Sequence, residues 1–251
     1  MGFICKALFP YRKVSLMAVD RQLDHDIKTE LKKYVAEILE IPPHNNLQPP
    51  VSGHPDMQLV HIRENILACQ PDMPAEIILE LKKAGFQVYT GEERLKPYYP
   101  LNIAYNVAVI GNVAFHNTKY TDPVLADILK KSSIRLVHVN QGYTKCSILP
   151  VTPESIITAD PTIEKAALSE GLDVLKLPPQ RKIRLPGYNY GFIGGTAGFV
   201  NNNTLAFAGD INMLDNKEEV KMFLKKYNIG WVCLKKDFIG DYGGLIPLCQ
   251  L

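Results

Sequence analysis

Cysteine is sparse in this 251-residue chain, and the spacing of its cysteines argues against a disulfide framework and against a zinc ribbon. No CxxC pair occurs, and the five thiols lie far apart, at Cys5, Cys69, Cys146, Cys233 and Cys249. An odd count at wide spacing is not typical of a disulfide framework, and a zinc ribbon needs closely paired thiols. We therefore expect five reduced thiols, and a core that forms without metals or disulfides.

An excess of one charge and long apolar runs are also lacking. The chain has 28 Lys and Arg against 26 Asp and Glu, a formal net charge of +2. No long basic run is present, so a phosphate backbone is not a predicted partner. Polar residues interrupt each apolar stretch well before the roughly 20 residues that a membrane-spanning helix needs. We predict neither nucleic-acid binding nor membrane insertion.

The first residues carry no recognisable targeting pattern. They lack the basic start, apolar run and small-residue cleavage site of a secretory signal. Lys6 occupies the position where a myristoylation motif has Ser or Thr. These features favour a cytoplasmic, unprocessed protein.

What the sequence does contain is an internal repeat. An apolar strand, a second strand closing on Asp, an amphipathic helix and a third strand follow one another over residues 57–91, 106–140, 146–178 and 192–236. The strand-ending aspartates are Asp20, Asp72, Asp122, Asp160 and Asp210. Because Asp accepts hydrogen bonds from the free N–H groups of a first helical turn, we interpret all five as helix caps.

The two chain ends supply a fifth unit. Residues 243–251 provide its first strand, residues 13–20 its second, residues 26–39 its helix, and residues 40–43 a short segment after it. Joining them hides the sheet edges that an open array exposes. The sequence therefore predicts an α/β fold: a five-bladed α/β propeller of ββαβ units, one domain over residues 1–251, with its ring closed by the N- and C-terminal segments. The first strands would line a central channel, where we expect the chemistry.

The five units, together with the run Gly243-Gly244-Leu-Ile-Pro-Leu-Cys249, resemble the pentein or guanidino-group modifying enzyme superfamily. Amidinotransferases, deiminases and dimethylarginine dimethylaminohydrolase belong to it. The resemblance covers nearly the whole chain at the level of element order. It implies a small cationic, guanidino-like ligand in the central channel, and a Cys-dependent hydrolase or transferase acting on C–N bonds. It implies no cofactor.

The resemblance also assigns roles to individual residues. Cys249 corresponds to the family's nucleophile, and Asp56 to the acid that grips the guanidinium. A planar, cationic group rich in donors needs a carboxylate for binding and a thiolate for attack. His54 is the candidate proton carrier. The remaining candidate ligand-binding residues are Cys146, Tyr190, Gly243 and Gly244.

Two positions depart from the family pattern. The fourth inner strand and its approach, residues 187–200, contain no histidine, where the family has its general base. The third offers Lys145 and Cys146 where a carboxylate is expected. These departures favour an alternative, a non-catalytic pentein-like module for ligand binding or protein interaction. A zinc site of His54, Asp56, Cys146 and Cys249 has suitable donors but lacks paired spacing, so no metal is predicted. The sequence leaves the substrate and the oligomeric state open.

Overall fold

The structure is a computed structural model that describes residues 2–251. Within these residues there are eighteen strands: β1 Gly2–Phe3, β2 Val14–Asp20, β3 Glu37–Ile41, β4 Leu59–Arg63, β5 Ile66–Cys69, β6 Gln87–Thr90, β7 Ala108–Ile110, β8 Val113–His116, β9 Arg135–His138, β10 Ile148–Thr152, β11 Ser155–Thr158, β12 Asp173–Lys176, β13 Ile183–Arg184, β14 Ala197–Asn201, β15 Thr204–Phe207, β16 Gly230–Cys233, β17 Ile239–Gly240 and β18 Ile246–Gln250. Seven α-helices accompany them: α1 His25–Leu31, α2 Pro55–Gln58, α3 Ala75–Lys83, α4 Pro123–Lys131, α5 Thr144–Ser147, α6 Pro161–Ser169 and α7 Lys217–Lys226.

One pairing pattern recurs in five sheets. The first strand pairs antiparallel with the second, and the second pairs parallel with the third, in β4-β5-β6, β7-β8-β9, β10-β11-β12, β14-β15-β16 and β18-β2-β3. A parallel pair requires a crossover connection, and a helix supplies it in each unit. The result is a mixed α/β fold whose units have the predicted ββαβ order. Closure of the five units into a ring stays a prediction.

The fifth sheet joins the two ends of the chain. Its order is β1-β18-β2-β3, so the C-terminal strand lies between two N-terminal strands. Gly2 is opposite Gln250, and Leu16 is opposite Cys249. The β1 strand thereby covers the edge of β18 that would otherwise be free for pairing with another chain.

The helix predicted over residues 26–39 is wrong in its second half. The α1 helix ends at Leu31, and Glu37–Ile41 form β3, which pairs with β2 over its whole length. The ladder to β2 satisfies the backbone groups of β3 and buries Leu39 and Ile41. This tertiary pairing outweighs the local helix propensity of the segment.

Two of the predicted caps are correct for α-helices. Asp122 accepts a hydrogen bond from the Leu125 N–H at the start of α4, and Asp160 accepts from two N–H groups at the start of α6. Asp210 instead caps the short 3-10 turn Ile211–Met213.

The other two predicted caps are wrong. Asp24 caps α1 in place of Asp20, whose side chain accepts from the Gln22 N–H, and α3 begins after Pro74 without a side-chain cap. Asp72 instead forms an ion pair with Arg94. In both units, additional residues separate the predicted aspartate from the helix, so its side chain does not reach the first helical turn.

The interior between the first strands is filled by apolar side chains. A void of about 10 Å³ lies there, and the residues that line it are mostly apolar, with two polar exceptions: Leu8, Leu59, Val60, Val107, Val109 and Ile246, together with His61 and Lys145. A space of this size is at the lower limit for one water molecule. A guanidino ligand therefore has no room in this void, and the larger cavities lie elsewhere. No helix within residues 2–251 is long and apolar enough to cross a membrane.

Candidate active site

Short segments that lead into the first strands bring polar side chains into the interior. The α2 helix runs directly into β4, and α5 runs directly into β10. The 3-10 turn Ile193–Gly195 precedes β14, and residues 241–245 precede β18. The candidate site therefore lies at the amino-terminal ends of the first strands, whereas the sequence analysis placed it along them.

Three buried side chains form the centre of the site. One ligand atom each of His54, Asp56 and Cys146 lies within 4.8 Å of the others. The Cys146 thiol donates a hydrogen bond of 3.1 Å to Asp56 Oδ2. On the other side, His54 Nδ1 lies 3.9 Å from Asp241 Oδ1. A thiol, an imidazole and two carboxylates thus converge from three units of the repeat.

Asn106 holds two of these segments together. Its amide nitrogen donates to Cys146 Sγ at 3.1 Å and to the backbone carbonyl of Asp56 at 3.1 Å. Its Oδ1 accepts from the backbone N–H of Lys145 at 2.8 Å. The side chain is fully buried, so these bonds fix α2 relative to α5 without competition from water.

Burial sets the protonation of the central pair. It raises the pKa of Asp56 to about 6, although the charges of Lys145 and His54 act in the opposite direction. Burial also raises the pKa of the Cys146 thiol well above its usual range, and the Asp56 charge adds to this effect. The resting thiol is therefore protonated at neutral pH, in agreement with its hydrogen bond to Asp56.

Carboxylates outnumber cations in this interior. Asp20, Asp56 and Asp241 are each at most 3% exposed. Burial raises the pKa of Asp20 as well. The buried cation nearby is Lys145, whose Nζ donates to the Gly194 carbonyl at 3.2 Å. This imbalance favours a cationic ligand.

Two buried polar atoms of the centre have no hydrogen-bond partner. They are Asp56 Oδ1 and His54 Nδ1. Leaving such atoms unpaired costs roughly 1–3 kcal/mol each. Asp241, by contrast, is engaged, because it accepts from the N–H groups of Phe192 and Gly243 at 2.8 and 3.0 Å. Of the two side chains with an unpaired atom, His54 is among those that line the cavity described below.

A cavity of about 260 Å³ opens onto His54, Cys146 and Asp241. Its walls are mainly aromatic and aliphatic, with Met57, Tyr143, Leu185, Tyr188, Tyr190 and Phe192 among the lining residues. An apolar cavity with a few convergent polar groups is typical of a small-molecule site. Tyr190, a predicted ligand-binding residue, lies in this wall.

Gly243 and Gly244 contact the site through their backbone. Gly243 has a φ of +70°, and a Cβ there would lie 2.5 Å from His54 Cβ and 2.9 Å from Asp56 Oδ1. Gly244 has a φ of +79°, with Lys145 Nζ 3.1 Å from the position of a Cβ. The two glycines thus allow the chain to approach the charged side chains closely.

The structure does not bring Cys249 into this cluster. Cys249 lies three residues beyond the start of β18, which is about 10 Å along an extended strand. It packs in the main apolar core and is 1% exposed. Burial raises the pKa of its thiol to about 11, and the Glu37 charge acts in the same direction. These surroundings are those of a core residue.

The three side chains at the centre of the site are also of the types that bind zinc. His54, Asp56 and Cys146 are suitable ligand types, whereas Cys249 lies elsewhere. A zinc-bound cysteine is a thiolate, whereas the Cys146 thiol here keeps its proton and donates a hydrogen bond to Asp56. The observed hydrogen bond therefore fits a protonated thiol.

Sequence reasoning missed Asn106 and Asp241. A signal for Asn106 was present in the repeat, because Asn106 and Cys146 each lie two residues before the first strand of their unit. Asp241 has a weaker signal, because it shares a segment with Gly243 and Gly244. Superposing the five units would have directed attention to these positions.

Comparison with known structures defines the class of the fold. Inosamine-phosphate amidinotransferase from Streptomyces griseus matches with a TM-score of 0.62 at 10% identity, over 99% of this chain and 97% of that one. Agmatine deiminase from C. jejuni matches with a TM-score of 0.54 at 11% identity, over 96% and 90%. DDAH from Pseudomonas aeruginosa, complexed with citrulline, matches with a TM-score of 0.53 at 10% identity, over 88% and 93%. These proteins are penteins, which confirms the resemblance found in the sequence and shows that the chain shares their fold.

Sequence comparison gives the family. Residues 18–246 match the group described as "Family of unknown function (DUF6873)", and the chain belongs to that family. The comparison with curated protein sequences found no match.

The contact between Gly243 and His54 predicts a large cost for an added methyl group. In Gly243→Ala, the alanine would have to adopt a positive φ, and its Cβ would overlap His54. We therefore expect the free energy of unfolding to fall by about 3 kcal/mol or more. Gly171→Ala is the matched control, since Gly171 has a φ of +80° with nothing within 4 Å of its Cβ position. It should lose only roughly 1–2 kcal/mol. Equal losses in urea unfolding would show that His54 is not packed against Gly243.

The raised pKa of Asp56 predicts a pH-dependent stability. The folded protein holds the Asp56 proton up to a pKa of about 6, against an ordinary pKa of 3.8 for this side chain when it is solvated. Its contribution to stability is thus complete below the lower value and is lost as pH rises through the higher one. Asn does not titrate, so Asp56→Asn should gain about 3 kcal/mol relative to the natural protein between about pH 4 and pH 8. A difference independent of pH, measured by urea unfolding, would contradict this assignment.

Proposed function

We propose that this protein acts on the guanidino or amidino group of a small cationic ligand, with Cys146 as the nucleophile. The observation that carries the proposal is the convergence of Cys146, His54 and Asp56 within 4.8 Å, beneath a cavity. The shared fold supports it, since the similar structures include an amidinotransferase and an agmatine deiminase. In this proposal the five units close into the predicted ring, the ligand enters at one end of it, and the protein works in the cytoplasm.

The charges of the site suit a guanidinium. Such a group is planar and cationic and carries several N–H donors, so it pairs well with carboxylates. Asp56 Oδ1 is buried and has no partner, and Asp241 lines the cavity on the opposite side of His54. A bound cation would relieve the excess of buried carboxylate.

Binding of the cation would also activate the thiol. A positive charge beside Cys146 favours the thiolate and lowers the pKa that burial and Asp56 raise. His54, which has a ring nitrogen within 4.8 Å of Cys146 Sγ, accepts the thiol proton. The resting enzyme thus keeps an unreactive thiol until the ligand is present.

The reaction proceeds through a covalent intermediate. Cys146 Sγ attacks the guanidino carbon and forms a C–S bond, while its proton passes to His54. The C–N bond to the leaving amine then breaks, and the amine takes the proton from His54. A thiouronium remains on Cys146. Attack by water, which gives up a proton to His54, breaks the C–S bond, yields a urea and regenerates the thiol. Attack by an acceptor amine would instead transfer the amidino group.

Cys146 replaces Cys249 as nucleophile in this proposal. The sequence resemblance assigns that role to Cys249, but Cys146 is the thiol that contacts a carboxylate and lines the cavity. His54, on the approach to β4, takes the proton-transfer role that the fourth unit cannot supply. Asp56 keeps its assigned role of binding the cation.

The non-catalytic alternative has an observation in its favour. Cys146 is 4% exposed, hydrogen-bonded on two sides and protonated at rest, as in many structural cysteines. The same carboxylates would then bind a cationic ligand without turnover. Covalent trapping and product analysis separate the two possibilities.

Cys146 should react selectively with a cationic electrophile. We expect 2-chloroacetamidine to label Cys146 at least about tenfold faster than its neutral isostere 2-chloroacetamide, because the amidinium binds the carboxylates and lowers the thiol pKa. The sulfur displaces chloride, and the thiol proton goes to His54. Peptide mass mapping after labelling identifies the site.

Variants provide the controls for this labelling. Cys146→Ser should abolish the adduct, Asp56→Asn should remove the preference for the cation, and Cys249→Ser should behave as the natural protein. Repeating the reaction with a chelator tests for a bound metal. Labelling at Cys249, or equal rates with both reagents, would contradict the proposal. An adduct at Cys146 without release of ammonia or amine from guanidino compounds would favour the binding-only alternative.

A further inference from the structure

The outer wall of the cavity differs in chemistry from its floor. The floor carries His54, Cys146 and Asp241, and the outer wall is built of aromatic rings. Tyr143 lies 6.2 Å from Phe192 between ring centroids, and Phe192 lies 6.5 Å from Tyr190. These three rings thus lie side by side, and with Tyr188, which also lines the cavity, they make up what we call the aromatic wall.

The aromatic wall is tied to the polar floor. The backbone N–H of Phe192 donates to Asp241 at 2.8 Å, and the Tyr143 hydroxyl accepts from Asn102 at 2.9 Å. The segment that carries Tyr188 and Tyr190 is anchored by the Gly191 N–H, which bonds to the Ile183 carbonyl at 2.8 Å. A ligand held by the floor would therefore have its substituent beside fixed rings.

Part of the aromatic wall is open to solvent. The Tyr188 side chain is 46% exposed, and the adjoining Tyr99, whose ring lies 5.7 Å from Tyr143, is 50% exposed. Adjacent exposed rings at the mouth of a cavity mark a surface that binds a ligand. An aromatic ring of the ligand would stack there.

The residues that line the cavity include no lysine or arginine. Two cations nearby in the chain are engaged elsewhere. Lys145 donates to the Gly194 carbonyl, and the Arg184 guanidinium lies over the Phe238 ring at 5.1 Å. A carboxylate on the ligand's tail would therefore find no cation among the lining residues, and it would lie near the carboxylates of the floor. Buried against the rings, such a tail would lose its hydration without compensation.

From these observations we infer that the substrate is a guanidine or amidine whose substituent is aromatic or apolar and carries no carboxylate. The inference rests on the proposed function, since the floor must first hold the cationic head. It narrows the substrate class to molecules with a positive head and an uncharged, ring-like tail. A free amino acid with a guanidino side chain does not meet this description.

Three matched compounds test the inference by calorimetry on the full chain. Methylguanidine has the head alone, benzylguanidine adds a ring, and 4-(guanidinomethyl)benzoate adds a carboxylate to that ring. We expect benzylguanidine to bind about tenfold or more tightly than methylguanidine, because the ring is buried against the aromatic wall. Benzylguanidine should also bind about tenfold more tightly than 4-(guanidinomethyl)benzoate.

The variant Tyr188→Ala tests whether the benzyl ring of the ligand binds against the aromatic wall. Because this side chain is half exposed, its removal should leave the fold intact while reducing the advantage of benzylguanidine about three- to tenfold. Methylguanidine should bind as before. Tyr89→Ala is the control, since Tyr89 lies on β6 and is not among the residues that line the cavity.

The outcomes separate this inference from the proposed function. Suppose methylguanidine binds and chloroacetamidine labels Cys146, but the ring adds nothing or the benzoate binds equally well. The inference on the tail is then overturned and the proposed function stands. If none of the three compounds binds and Cys146 is not labelled, both are overturned.

Discussion

The hydrogen bond between the Cys146 thiol and Asp56 is the interaction on which the account of the site depends. A carboxylate in this interior loses its hydration, and the three buried aspartates have Lys145 as their buried cation. The protein reduces the cost by keeping the Asp56 proton up to a pKa of about 6 and the Cys146 thiol protonated. The thiol of the site is thus neutral at rest, and under the proposed function a bound cation causes its ionisation.

The repeat explains how such a site arises in one chain. Short helices or turns lead into several first strands, as α2, α5 and the 3-10 turn Ile193–Gly195 do, and side-chain hydrogen bonds join these segments across units. Residues far apart in sequence, such as Asp56, Asn106 and Cys146, therefore become neighbours. The hydrogen bonds of Asn106 hold α2 and α5 in fixed positions. Because Gly243 has no side chain, its backbone can lie close to His54. Under the proposed function the reacting thiol belongs to the third unit, whereas the sequence resemblance assigns it to the fifth.

Much of the fold was predictable, because the order of strands and helices follows from local apolar periodicity. The exception was residues 37–41, whose helical pattern was overridden by pairing with β2. The site was less predictable. Asp56 was named by resemblance, His54 from its place beside Asp56 in the sequence, and Cys146 from its place at the start of an inner strand. Cys249 was named by resemblance. The sequence does not show that this residue lies within β18, where it packs in the apolar core. Asn106 and Asp241 act through tertiary contacts between units, which periodicity cannot register.

The central claim is that a guanidinium cation converts Cys146 from a thiol to a thiolate. The direct test is the pKa of Cys146, followed by ultraviolet absorbance of the thiolate in a variant whose other four cysteines are replaced by serine. The account predicts a pKa well above 9 in the free protein, and a fall of at least about one unit when methylguanidine is bound. A pKa that the ligand leaves unchanged, at concentrations where calorimetry shows binding, would contradict it.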